Sequence, residues 1–232
     1  MQSRTTTTVM LGVAQTLAWA SSYYLPAVLA SAIGADTGTS TSTVFGAFSV
    51  ALLVAAATGP YAGRLIDRLG GRPVLIASNL VFASGLAALS QATHASHVFV
   101  AWALMGLAMG SGLYEAAFAT VVRLHGKDAR RSITGITLFA GFASTVGWPL
   151  SAYLENAVGW RGACLAWAAL HLVIGLPLNV LLPRVARANQ ASKEATGAGK
   201  EPGAGLSPAQ QRRAAILMAY VFAVTWFIST AM

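Results

Sequence analysis

Charge is scarce in this chain. Only 9% of its 232 residues are Asp, Glu, Lys or Arg, whereas a soluble globular chain carries about 25%. That deficit argues against a soluble domain. Acidic residues are scarcer still, seven against fifteen basic ones, which leaves a net charge of +8. Cysteine is nearly missing: Cys164 stands alone inside an apolar stretch, so an intrachain disulfide is excluded and a small core residue is expected. No long run alternates apolar and polar residues, which argues against a closed β-barrel. Nothing in the sequence calls for a cofactor or a metal ion.

What the chain has in quantity is apolar residues, 56% of the total, arranged in long runs. Seven runs are long enough to cross about 30 Å of hydrocarbon at about 1.5 Å per residue. They are Val9–Ile33, Val44–Ala62, Val74–Ala92, Val98–Val122, Ile133–Leu154, Ala163–Leu182 and Ala214–Met232. The expected fold class is an all-α membrane protein, with the lipid bilayer as its first partner.

The basic residues sort themselves around these runs. With the N-terminus inside, the cytoplasmic segments hold Arg4; Arg64, Arg68 and Arg72; Arg123, Lys127, Arg130 and Arg131; and Arg184, Arg187, Lys193, Lys200, Arg212 and Arg213. That is 14 of 15, with Arg161 the exception. The positive-inside bias therefore predicts a cytoplasmic N-terminus, and the alternation supports the span count. Short clusters between apolar runs do not make a basic face, so no nucleic-acid partner is expected. Ala30-Ser31-Ala32 resembles a signal-peptidase site, but Val9–Ile33 is long for a signal core and Arg4 is its whole basic region, which favours an uncleaved first helix.

Residues 186–211 break the pattern with Ala, Gly, Lys, Glu and Pro, a solvated linker. The expected organisation is a six-helix bundle over 1–185, this linker, and over 212–232 the first helix of a second bundle. An end inside an apolar run reads as a truncation, leaving the C-terminal half as the missing partner.

An internal repeat is visible without gaps at an offset of 89 residues. It superposes Gly46 on Gly135, Pro60 on Pro149, Leu65 on Leu154, Gly70 on Gly159, Arg72 on Arg161 and Ser22 on Ser111. Three spans separate the copies, so they run in opposite directions, a 3+3 inverted arrangement.

The loop after the second run reads Gly63-Arg64-Leu65-Ile66-Asp67-Arg68-Leu69-Gly70-Gly71-Arg72-Pro73. Gly63 is expected to admit a neighbouring helix. Gly70 and Gly71 are expected to permit a tight reversal with positive φ. Asp67 can accept from Arg68, Arg72 or a helix N-terminus. The loop resembles the signature G-x-x-x-D-[RK]-x-G-x-[RK]-[RK] of the major facilitator superfamily, matched at Gly63, Asp67, Arg68, Gly70 and Arg72, with Pro73 departing from the last basic position. Gly159-Trp160-Arg161 is also similar to bacterial members. The resemblance implies a secondary transporter of the inner membrane, moving a small molecule by alternating access. It also implies that the loop latches the two halves of the transporter, and that spans one and four line a central cavity while spans three and six lie outside.

Ionisable residues inside spans are costly and functional by default. Glu115 and His171 are the two that lie deep, and both are candidates for proton coupling, Glu115 the stronger. His171 has the alternative of a hydrogen-bonded packing residue. Gln15, Trp19, Ser22 and Pro26 share one face if the first span is a continuous helix. With the family's cavity lining, Gln15, Tyr23, Tyr24, Tyr114 and Glu115 become candidate substrate residues. Pro149, after Trp148, is expected to bend the fifth span, and Gly106, Gly110 and Gly112 to pack the fourth closely. No Arg lies deep in a span, which disfavours polyanions and suits a small organic molecule.

Two other classes compete. Met109-Gly110-Ser111-Gly112 in span four and His171 in span six resemble the Ser/His dyad of rhomboid-type intramembrane proteases, though the first motif glycine is Met109. A seven-span receptor or accessory protein would also account for the run count. The transporter is preferred over an enzyme.

Overall fold

Breaks in otherwise apolar helices organise this molecule. In the computed structural model, which describes residues 3–183 together with Arg213 and Leu217, the chain divides into two units. The linker and the seventh apolar run lie outside the described residues, save that Arg213 and Leu217 are helical. The first unit holds α1 (Arg4–Ser21), α2 (Leu25–Thr37), α3 (Thr41–Leu69), α4 (Gly71–Ser90), α5 (Ala95–Gly112), α6 (Tyr114–His125), α7 (Ala129–Gly141), α8 (Ala143–Leu170) and α9 (Leu176–Val180). A 3₁₀ turn over Gly126–Asp128 joins α6 to α7, and a π-turn over His171–Gly175 joins α8 to α9. No strand occurs among the described residues.

The first span is two helices. α1 ends at Ser21 and α2 restarts at Leu25 with Pro26 in its first turn, where a missing N–H costs nothing. Ser22 Oγ donates to Ala18 O at 2.6 Å, satisfying a carbonyl left over at the break. The single face running from Gln15 to Pro26 is therefore interrupted. Span four divides in the same way, α5 ending at Gly112 and α6 starting at Tyr114. Span five divides at Phe142 rather than at Pro149, which lies inside α8. The chain reverses into span six at Gly159, a non-helical residue with φ 73° and ψ 168°.

The 89-residue repeat is present in three dimensions. Gly70, at φ 87° and ψ 162°, matches Gly159 in backbone conformation. The N-cap of α2, Tyr24, and that of α6, Leu113, are also 89 residues apart. Phe82 and His171 share that offset and stack on one another, centroids 4.8 Å apart and planes at 17°. A residue touching its own repeat mate sits on the local two-fold axis, so α4 and the end of span six cross there. The architecture is the 3+3 inverted bundle.

Packing follows from small residues. α3 runs along α5, α4 against α5 and α8, and α1 against α7 and α8. An added Cβ on Gly106 would lie only 2.4 Å from Ala51 O, and one on Gly110 2.6 Å from Ala55 O. Gly63, by contrast, has nothing within 4 Å of its Cβ direction, so it admits no helix within the described residues. Gly71 does not supply a positive φ; it makes room for Thr120, whose Oγ1 would stand 1.7 Å from an added Cβ.

Large apolar side chains cover the outside: Leu53 is 71% exposed and Val173 72%. Thr41–Leu69, Gly71–Ser90 and the helical stretch Ala95–Val180 are long and apolar enough to cross a membrane. This is the surface of a multi-pass membrane protein.

One end of the bundle gathers the basic loops. Arg4 pairs with Asp128 at 2.8 Å, and Arg123 reaches back to Ile66 O at 3.1 Å and to Asp67 O. Between them lies His125, whose Nδ1 contacts Ser132 Oγ at 3.0 Å. Burial pushes the His125 imidazole below its ordinary 6.5, Arg4 adds to the effect, and Asp128 opposes it. The folded loop thus prefers neutral His125, so its stabilisation is present above about pH 6.5 and is lost as pH falls through the depressed folded value. The protection factors of amides 126–132, corrected for intrinsic exchange, should therefore fall between pH 7 and pH 5, and a His125→Asn variant should show no such fall.

Candidate functional site

The break in span four is tied to the first helix of span one by one side chain. Gln15 Nε2 donates to Gly112 O, the last carbonyl of α5, at 2.7 Å. Around this tie the helix ends present aromatic rings. Trp19 lies 4.9 Å from Tyr114, 5.2 Å from Tyr23 and 6.4 Å from Tyr24, centroid to centroid. Tyr24 meets Trp148 edge-on at 6.3 Å, Tyr23 meets Phe48 at 5.5 Å, and Phe118 stacks on Tyr114 at 5.0 Å. The result is a continuous half-buried aromatic wall drawn from spans one, two, four and five. Discontinuous helices at mid-membrane are where transporters place their sites, because backbone groups there are left available.

Of the candidate cavity residues, the structure brings Tyr23, Tyr24 and Tyr114 together around Trp19. Gln15 is buried beneath them, 2% exposed, with its Oε1 unpartnered. The indole N–H of Trp19 is likewise buried without a partner among the described residues. Glu115 follows Tyr114 in the first turn of α6 and is exposed rather than buried, and no hydrogen bond or ion pair holds it among the described residues. Phe48 and Phe118 were not legible as wall residues, since an apolar ring in an apolar span carries no signal.

His171 sits elsewhere. Its Nε2 is 2.7 Å from Ser21 Oγ and its Nδ1 2.9 Å from Asn79 Oδ1, while Asn79 Nδ2 donates to Leu75 O at 2.8 Å. The Asn79 oxygen can only accept, so Nδ1 carries the proton and Ser21 donates to Nε2. Spans one, three and six are pinned together by this chain. Ser111 lies on a different face, its Oγ donating to Leu107 O at 2.7 Å. The Ser111/His171 dyad is not formed, because both imidazole nitrogens are already engaged.

At the basic end, Asp67 and Arg68 are exposed and Arg72 half-buried, at the α3–α4 turn that Gly70 makes. Arg123, which the sequence marks only as a loop charge, grips the last turn of α3 from α6. At the opposite end Arg161, the outlier of the charge count, is paired with Asp36, donates to Ala92 O at 2.7 Å and lies 4.3 Å over the Trp160 ring. Trp160 Nε1 donates to the same carboxylate at 3.0 Å. The repeat-related turns at Gly70 and Gly159 thus each carry an arginine, one at each end of the bundle.

Comparison with known proteins agrees with this architecture. The 4-hydroxybenzoate transporter PcaK of Pseudomonas putida is 32% identical over 127 residues, 54% of this chain and 28% of that protein. The multidrug resistance protein MdtL of Klebsiella pneumoniae (strain 342) is 30% identical over 169 residues, 71% of this chain and 42% of its own length. Human monocarboxylate transporter 2 is 30% identical over 157 residues, 64% of this chain and 31% of that protein. The chain therefore spans less than half the length of these relatives. The family model for the Major Facilitator Superfamily matches residues 11–232, and with the inverted six-helix bundle, the Gly63–Arg72 loop and the paired helix breaks in place, the chain belongs to that superfamily.

Proposed function

We propose that this bundle is one wall of a proton-coupled secondary transporter for a small organic molecule, set in the inner membrane with its N-terminus in the cytoplasm. A second bundle supplies the opposite wall, and rocking of the two exposes the site to either side in turn; the six-helix unit alone moves nothing. The observation that carries this reading is the aromatic wall at two repeat-related helix breaks, with the exposed Glu115 next in sequence to its Tyr114. A lone ionisable group at such a depth suits proton carriage. His171, with both nitrogens engaged, serves packing better than coupling. Asp67, Arg68 and Arg72 would control the conformational step from the basic end, with Arg123 holding the α3 end that presents them. The 14-to-1 division of basic residues supports the orientation.

The experiment is proton movement in proteoliposomes holding the full-length protein and a trapped pH dye. Small aromatic acids, amines and neutral compounds are added in turn. At least one should drive a proton flux, and Glu115→Gln should slow it at least tenfold. A proton flux unchanged by Glu115→Gln would remove Glu115 from coupling.

A further inference from the structure

We infer that the aromatic wall selects organic cations, a protonated amine or quaternary ammonium on an apolar or aromatic body. The inference rests on the transport reading above and names its substrate class. Ring faces carry negative electrostatic potential and attract a cation lying over them, most strongly for Trp and when water is excluded. Here Trp19 is inclined to Tyr23, Tyr24 and Tyr114 by 43–53°, and Tyr24 stands at 83° to Trp148. Tilted and edge-on pairs leave ring faces uncovered, whereas parallel stacking spends them, as it does for the face of Tyr114 that lies on Phe118.

The surrounding charges point the same way. Glu115, beside Tyr114, is exposed and held by no partner among the described residues. Among the described residues no ion pair offsets it. Arg4, Arg64, Arg68, Arg72 and Arg123 belong to the basic end, Arg161 is occupied by Asp36 at the other, and both His171 nitrogens are engaged. An anion on this wall would meet negative ring faces and a carboxylate together. Two of the buried atoms without a partner among the described residues, Trp19 Nε1 and Gln15 Oε1, stand one helical turn apart on α1. They offer a donor and an acceptor, and an ammonium N–H suits the Gln15 oxygen.

The test uses three probes of similar size on the full-length protein in lipid nanodiscs: benzyltrimethylammonium, benzyl alcohol and benzoate. Binding is read as tryptophan fluorescence quenching that disappears in Trp19→Phe. The cation should bind at least tenfold more tightly than benzoate. Glu115→Gln should erase most of that preference while benzyl alcohol binding is unchanged, and Glu115→Lys should reverse it. Benzoate binding as tightly as the cation, through Trp19, would overturn the substrate class and leave the transport-site reading standing. The absence of Trp19-dependent quenching with all three probes would overturn both.

Discussion

Gly106→Ala should destabilise the bundle by about 3 kcal/mol, the upper range for overpacking. The new methyl group would lie 2.4 Å from Ala51 O and 2.9 Å from Ala51 Cα. Both are backbone atoms of α3, so no side chain can rotate away and the α3–α5 seam must widen along its length. Gly110→Ala meets Ala55 in the same way, 2.6 Å from its carbonyl oxygen. The double variant should cost less than the sum, because the first substitution already separates the helices for the second. Gly63→Ala is the internal control. It has open space and a helical setting, so it should leave the unfolding midpoint in detergent unchanged or slightly raised. Thermal unfolding of the four variants and the wild type, followed by the far-ultraviolet helix signal, checks all of this. A Gly106→Ala midpoint equal to wild type would mean that the seam is not closed as described.

His171→Ala carries the second large effect, again about 3 kcal/mol, from a cavity in a buried region and from two partners left unpaired. The imidazole is 1% exposed, stacks on Phe82, and bonds both Ser21 and Asn79. His171→Phe separates the contributions. It keeps the ring against Phe82 and removes both hydrogen bonds, so it should cost less, about 1–2 kcal/mol, since interhelical hydrogen bonds in membranes are individually modest. Chemical denaturation in mixed micelles measures both. Equal costs for the two variants would reverse the assignment and make the hydrogen bonds, which both remove, rather than the packing, which only Ala removes, the main tie.

These two sites differ in how visible they were beforehand. The glycines of span four spell out a close-packing face, and the structure places Gly106 and Gly110 against Ala51 and Ala55 as that spacing suggests, with Gly112 against Ser78. Gly63 belongs to the same residue type and matches a motif, yet faces open space, while Gly71 takes the contact with Thr120. Type and spacing show that a helix can be approached; they do not say from which side a neighbour comes. His171 was visible as a polar residue in an apolar run. Its partners Ser21 and Asn79 were not, since they lie 150 and 92 residues away. Glu115 was read as a deep group, and its exposure at the start of α6 follows from a break that hydropathy does not register.

The sequence by itself determined that this protein lives in a membrane, how its spans alternate, that its two triplets are related, and which loop carries the family signature. Those properties are sums over local residues: apolar length, basic charge per loop, and identity at a fixed offset. The tertiary structure alone decided where the spans break, that the breaks coincide across the repeat, and that rings from spans one, two, four and five close into one wall beside Glu115. A broken helix in an apolar run has the composition of an unbroken one, and contact between distant spans is set by packing, which no local pattern records.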